Sequence, residues 1–346
     1  MQDDKDQMHS DLYICSPASA QTRAIIRLIK QYRPDVRIHG VLFDTEQASR
    51  DPAIHRFVPV AELDGLGARN DILPTGAWST EYLLERGDVR FGDVCLKREA
   101  LKVFDKRWIL AQAEACGIPY PHTWHAVEDI ERYPIFFKQK FEQGGGTRGI
   151  ARAHQDIPAA HTDALIYQEY IDSPGTYGVG FIAVDGKILV SHGHFEKESL
   201  PESGGSAVVL ERFIDEKLMA HTEKILAQIA YTGWGLAEFK YCPLRDDYVF
   251  MEINAKLWAS CELAFANEPG FAKLLFNIDK PAENIERMVF LNRYLRRGVK
   301  FSISNAKTLA AARVVVDPQI LRAAALGLIP LAAGPALLKL KKRLLS

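Results

Sequence analysis

The chain has 346 residues, enough for two or three packed units around a sizeable core. Lys and Arg number 43 against 44 Asp and Glu, and a net charge of −1 gives no broad cationic face for a nucleic acid. Apolar residues at 47% and charged ones at 25% exclude a largely disordered chain and a polytopic membrane protein.

The stretch before Asp11 is polar and acidic, without the apolar run of a secretion signal, so a cytoplasmic location is expected. Leu12–Cys15 is a short apolar run, broken at Ser16-Pro17. Ile25, Ile26, Ile29 and Tyr32 recur at helical spacing before Pro34, and Val36–Phe43 is a second strand-like run. Strand, helix and strand in this order predict a βαβ unit and a parallel sheet. The turn Ser16-Pro17-Ala18-Ser19-Ala20 has no glycine, whereas a dinucleotide-binding turn needs glycines for close backbone approach to a pyrophosphate. The unit therefore reads as scaffold or as one wall of a substrate cleft. The five cysteines (Cys15, Cys95, Cys116, Cys242, Cys261) are scattered and fit neither a disulfide framework nor a zinc knuckle.

Asp105 is placed to cap a helix in which Ile109, Ala113 and Cys116 share a face, and Gly117 with Pro119 stop it. From Ile135 the pattern becomes strand-like. Lys138 and Lys140 fall on one face of a strand by alternation. The loop after them, with Gly144, Gly145, Gly146, Thr147, Arg148 and Gly149, can bend backbone N–H groups around phosphate oxygens. It is not a Walker A loop, since no Lys-Ser or Lys-Thr follows the last glycine, and the same residues also suit a flexible hairpin.

Leu165–Asp172 is an apolar strand running into a polar hinge. Asp185-Gly186 marks a hairpin between Tyr177–Val184 and Lys187–Ser191. His192 and His194 lack a third neighbour for zinc. A helix from Asp215 to Tyr231 carries Leu218, Thr222, Ile225, Leu226 and Ile229 on one side and is closed by Gly233. In the strand Leu236–Tyr241, alternation groups Leu236, Glu238 and Lys240. In Tyr248–Asn254 it groups Phe250, Glu252 and Asn254. Glu238, Glu252 and Asn254 then offer hard oxygen ligands on neighbouring strands, a set that suits Mg²⁺ with phosphate oxygens. Glu–Lys pairs on a solvated face are the other reading.

In this order the segments resemble the ATP-grasp superfamily. Asp105-Lys106 with Gly117-Ile118-Pro119-Tyr120-Pro121 looks like its opening motif, and Phe137-Lys138 with the glycine loop looks like its phosphate lid. Gln168-Glu169-Tyr170-Ile171 looks like the adenine hinge, while Glu238-Phe239-Lys240 and Met251-Glu252-Ile253-Asn254 look like the metal-binding strands. The flavour is that of carboxylate–amine ligases, akin to carbamoyl-phosphate-synthase-like and D-aspartate-ligase-like members. Ser203-Gly204-Gly205-Ser206 after the His-bearing strand fits that placement.

The resemblance implies an N-terminal parallel α/β (pre-ATP-grasp) domain over residues 11–100 and a two-lobed ATP-grasp domain over 101–290. The latter divides into a small lid lobe near 105–165 and a larger lobe near 166–290, with a C-terminal helical tail over 291–346. It implies that Lys106, Lys138 and Lys140 hold ATP phosphates under the loop Gly144–Thr147, and that Gln168, Glu169, Tyr170 and Ile171 meet adenine. Glu238, Glu252 and Asn254 would bind one or two Mg²⁺ ions, with Mn²⁺ as the alternative metal. Arg148 and Lys256 join Lys138 as candidate catalytic residues. Three positions depart from the pattern. Thr176 falls where an acid usually holds the ribose. Lys256 replaces an arginine, and Lys197 is the only basic residue between Lys187 and Leu210. The activity implied is an ATP-dependent ligase that joins a carboxylate to an amine through an acyl phosphate. The alternatives are an impaired ATP-binding sensor or assembly module, and a phosphotransferase.

The tail carries the charge asymmetry. Pro318–Ser346 holds five basic residues and no acidic one, leaving 38 basic against 44 acidic residues before it, a net of −6. Ala323–Leu338 is 16 uncharged residues, short of the roughly 20 that span a bilayer. With Lys339, Lys341, Lys342 and Arg343 behind it, the segment suits a peripheral contact with an anionic membrane face. Packing on the body, or on a second copy in a homodimer, is the other reading.

Overall fold

A computed structural model of the chain describes residues 11–43, 51–66, 72–142, 144, 146–158, 162–201, 205–298, 302 and 304–316. Gly145, Ser203-Gly204 and the apolar–basic segment from Pro318 lie outside the described residues.

Ser19 opens helix α1 (Ala20–Tyr32) by accepting the Thr22 amide on its hydroxyl, and the helix buries Ile25, Ile26 and Ile29. Each such side chain contributes about 1.5–3 kcal/mol when fully buried. The helix connects β1 (Asp11–Cys15) to β2 (Arg37–Leu42), which pair in parallel, so the βαβ unit is present. With β3 (Ile54–Pro59) and β4 (Ile72–Leu73) they form a parallel sheet in the order β3-β2-β1-β4. Helix α2 (Ala77–Arg86) and the hairpin β5 (Val89–Phe91)–β6 (Val94–Leu96) lead out of it.

Asp105 caps α3 (Lys106–Ala115), accepting the amides of Arg107 and Trp108, and Ile109 and Ala113 are fully buried. An antiparallel small sheet follows, made of β7 (Thr123–Trp124), β8 (Ile135–Gln139), β9 (Arg148–Ala151) and β10 (Leu165–Glu169), in the order β7-β10-β8-β9. The division expected near residue 165 thus falls at the first residue of a strand that pairs within this sheet.

The large sheet has seven strands: β11 (Thr176–Val184), β12 (Lys187–Leu200), β13 (Ser206–Arg212), β14 (Gly233–Cys242), β15 (Asp247–Asn254), β16 (Arg287–Phe290) and β17 (Arg313–Val315). Their order is β15-β14-β11-β12-β13-β16-β17. Asp185 and Gly186, both at positive φ, make the expected hairpin turn between β11 and β12. Helix α4 (Glu216–Gln228), capped by Asp215, buries Leu218, Thr222, Ile225 and Leu226. It stops short of Gly233: Ala230, at φ +47°, turns the chain out of the helix, and Gly233 starts β14. Helices α5 (Cys261–Asn267) and α6 (Pro269–Phe276) follow β15. Past residue 290 the chain is helical only in part, since after α7 (Leu291–Arg296) and α8 (Ala306–Ala310) β17 pairs in parallel with β16. Among the described residues no helix is long and apolar enough to cross a membrane.

Candidate active site

The small and large sheets enclose a cavity of about 440 Å³. Its floor follows from cross-strand register, because paired residues share a face. Across β12, β11, β14 and β15 one row reads His194, Gly178, Glu238, Glu252. In the next, Glu196 pairs with Thr176, and Lys240 reaches the Thr176 hydroxyl from β14. Glu238 and Glu252 are therefore direct partners, as the sequence leads one to expect. Phe250 is not on their face. The register slips by one residue between Glu238 and Phe239, so Phe250 pairs with Phe239 on the buried side. Met251 is the extra residue, and it lines the cavity beside Glu252.

Lys138, on β8, reaches across from the small sheet to donate to a Glu252 carboxylate oxygen at 2.9 Å, with its Nζ 3.4 Å from the Met251 carbonyl. Lys106, the first residue of α3, lies 3.9 Å from Glu252 and 3.1 Å from Glu142. Lys256 donates to the other oxygen of Glu142 at 2.7 Å. The Asn254 amide donates to Glu238 at 3.1 Å and to Glu252 at 3.2 Å, tying the carboxylates together. All of these groups are substantially buried. Burial raises the Glu252 carboxyl, but Lys138 and Lys106 outweigh it and hold the group well below the usual carboxylate range. Glu238 goes the other way: burial, then repulsion from Glu252 and Glu196, push it well above that range. Burial lowers the Lys106 ammonium, yet Glu252 and Glu142 leave it above the ordinary lysine value.

Of the residues expected at the site, Lys106, Lys138, Glu238, Glu252, Asn254 and Lys256 come together. Thr147, Arg148, Glu169, Tyr170, Ile171 and Thr176 line the same cavity. Arg148 is the cross-strand partner of Lys138. Gly144 and Gly146 adopt positive φ, and the Gly144 amide donates to Glu142 at 2.9 Å.

Lys140 does not share the face of Lys138. The strand ends at Gln139, alternation ends with it, and the Lys140 ammonium bonds the Asp163 carbonyl instead. The side chain of Gln168 is fully buried away from the cavity, 3.4 Å from the Thr123 hydroxyl. The Glu169 carboxylate is held by Arg132, Arg245 and the His122 amide, and the Glu169 amide donates to the His122 carbonyl at 2.9 Å. His192 and His194 are buried. Burial, then proximity to His192, brings the His194 imidazole down to about 3, so it is neutral at pH 7.

Two groups were not anticipated: Glu142 stands between two lysines, and Glu196 faces the cavity. Lys240, on the face of Glu238, donates to the Thr176 hydroxyl at 2.8 Å. Burial pushes the Glu196 carboxyl up to about 7 against the pull of Lys240 and Arg293. Among the described residues no three His, Cys, Asp or Glu side chains form a metal cage. The donor set is two carboxylates and an amide. That fits Mg²⁺, which keeps waters and phosphate oxygens as its remaining ligands.

No protein-family model matches the chain, and no curated protein matches it by sequence. Solved structures match it in fold. Pyruvate carboxylase from Rhizobium etli superposes with a TM-score of 0.59 at 12% identity, over 79% of this chain and 29% of that one, so the chain spans under a third of that protein. The biotin carboxylase domain of Hydrogenobacter thermophilus 2-oxoglutarate carboxylase, in complex with MgADP, ADP and bicarbonate, gives 0.58 at 13% identity over 78% and 70%. Phosphoribosylamine–glycine ligase from Thermotoga maritima gives 0.59 at 15% identity over 79% and 77%. At these identities the likeness is one of fold alone: the chain shares the architecture of these carboxylase and ligase structures.

Proposed function

We propose that the cavity binds ATP with Mg²⁺ and that the chain joins a carboxylate to an amine through an acyl phosphate. The observation that carries this reading is a convergence. Lys106 and Lys138 meet Glu238, Glu252 and Asn254 in a cavity that Glu169–Ile171 also line. A neighbour in fold that holds MgADP supports the choice of nucleotide and metal.

Lys106 and Lys138 take phosphate oxygens, and the Tyr170–Ile171 segment, with the Glu169 amide already given to His122, takes the base. Glu196, the cross-strand partner of Thr176, brings a carboxylate to the place where the ribose acid is expected. Glu238, Glu252 and the Asn254 amide oxygen would hold Mg²⁺, which neutralises phosphate charge when bound. The Asn254 amide has only to turn over to present that oxygen, since its O and N are alike in shape. In the first step an oxygen of the substrate carboxylate attacks the γ-phosphorus, and the bond to ADP breaks. In the second the amine nitrogen attacks the acyl carbon, phosphate departs with the carbon–oxygen bond, and the nitrogen loses a proton. No side-chain nucleophile is required. The buried lysines act by position and charge.

ADP release measured over a panel of carboxylates and amines with Mg²⁺ tests this. One acid–amine pair should sustain turnover, and Lys138→Ala and Glu252→Ala should each lower it by about a hundredfold or more. Nucleotide affinity left unchanged by both substitutions would show that the site is assigned wrongly.

A further inference from the structure

The segments that carry Lys106 and Glu142 are tied together by their backbones. The Lys106 amide donates to the Lys140 carbonyl and the Glu142 amide to the Phe104 carbonyl, each at 2.9 Å, around a bridge between Asp105 and Phe141. These bonds hold the strand end in place without any help from the Glu142 side chain. That side chain turns inward, with 12% of its surface exposed. One carboxylate oxygen meets the Lys106 ammonium at 3.1 Å. The other meets the Lys256 ammonium at 2.7 Å and the Gly144 amide at 2.9 Å.

Two ammonium groups and an amide of a glycine loop, arranged around one point, are the donors that recognise a phosphate group. Here they hold a carboxylate supplied by the chain itself. We infer that Glu142 is an internal anion in the place of a substrate phosphate, which an incoming phosphate must displace.

Charge in the cavity argues for exchange over coexistence. Lys138 and Lys106 face Glu252, and Lys106 and Lys256 face Glu142, so each of the three ammonium groups already has a carboxylate. A polyphosphate entering beside Glu142 would bring several negative charges to a centre where three ammonium groups already face two carboxylates, leaving a single positive charge to meet them. Released from the lysines, the Glu142 carboxylate leaves Lys106 and Lys256 to the newcomer. Burial disfavours the charged Glu142, but Lys256 and Lys106 together keep it ionised, so it competes as an anion. A ligand that binds only the displaced state loses affinity in proportion to how seldom that state is populated.

The inference rests on the ATP reading for its biological ligand, but inorganic tripolyphosphate tests it separately. Binding of ATP with Mg²⁺, of tripolyphosphate and of adenosine is measured calorimetrically to wild type, Glu142→Gln and Glu142→Ala. Melting temperatures show which variants are folded, and Glu142→Gln, nearly identical in shape, carries the test if Glu142→Ala is not. Both phosphate ligands should bind the variants about tenfold tighter than wild type, and adenosine should bind all three alike. Tripolyphosphate affinity that is unchanged or weaker in Glu142→Gln overturns the inference. Tighter tripolyphosphate with no ATP binding to any variant keeps the inference and overturns the nucleotide reading. ATP bound by wild type, lost in Lys138→Ala and not tightened in Glu142→Gln does the reverse.

Discussion

Glu238 and Glu252 are the same residue type, directly paired across two strands, yet their surroundings drive them apart. Glu252 has two lysines to hold it ionised, whereas Glu238 has burial and two neighbouring carboxylates against its charge. Glu252→Gln should therefore destabilise the protein by about 3 kcal/mol, because it leaves Lys138 buried without its counter-charge and takes from Lys106 one of its two. Glu238→Gln should leave the melting temperature unchanged or raise it, while abolishing the Mg²⁺ dependence of nucleotide binding. The pH dependence has a definite sign. The folded value of Glu252 lies below its ordinary value of 4.5, so its contribution is full above that pH and is lost as the pH falls below it. Denaturant midpoints at pH 7 and pH 4 should differ for wild type and differ less in Glu252→Gln, where Glu142 and other paired carboxylates still contribute. An equal pH effect in the variant would locate the sensitivity elsewhere. Residues of this kind were legible in the sequence because their chemistry lies in type and order along the chain. Glu142 and Glu196 were not, since a lone Glu says nothing until folding sets it beside Lys256 or opposite Thr176.

At the level of elements, β11 shows what a strand gives up to make room for buried rings. Gly178 and Gly180 alternate with Tyr177, Val179 and Phe181, so both glycines fall on one face. A Cβ at Gly180 would lie 2.0 Å from the Trp258 ring, and one at Gly178 would lie 2.6 Å from the His194 ring. The strand therefore leaves room for those two rings instead of packing its own side chains. Gly180→Ala should lower stability by about 1–3 kcal/mol, read as a shift in urea midpoint with an unchanged slope. A neutral result would mean that Trp258 moves aside freely. The strands, hairpin turn and helix cap of this region were readable from periodicity and from Asp-Gly and Asp105. The bulge at Met251 was not. One extra residue leaves the alternating pattern Phe250, Glu252, Asn254 intact in the sequence while it reverses the face of Phe250.

Across the whole molecule, the net charge of −1 hides a focused centre of buried lysines and carboxylates, and the apolar interior is divided in a comparable way. One continuous core joins the N-terminal parallel sheet, α3 and the large sheet, from Leu12 and Ile25 to Phe181 and Trp234. The small sheet has a core of its own, built from Trp124, Ile135, Phe137, Ala151, Ile157, Leu165 and Tyr167. Strand β10 belongs to both: Leu165 and Tyr167 face the small core, while Ile166 between them joins the large one. No pattern in the sequence assigns an apolar residue to one core or the other, because the assignment depends on which elements meet. A core of seven buried residues removes far less apolar surface from water than its neighbour, so the small sheet should open at a lower free energy than the rest. Hydrogen exchange should show the amides of β8 and β10 exchanging before those of β11 and β14. On the proposed reading ATP with Mg²⁺ would engage both Lys138 on the small sheet and Glu252 on the large one, so it should slow exchange in β8 and β10 selectively. Uniform protection of all four strands, with or without nucleotide, would mean that the two cores unfold as one and that the small sheet does not open independently.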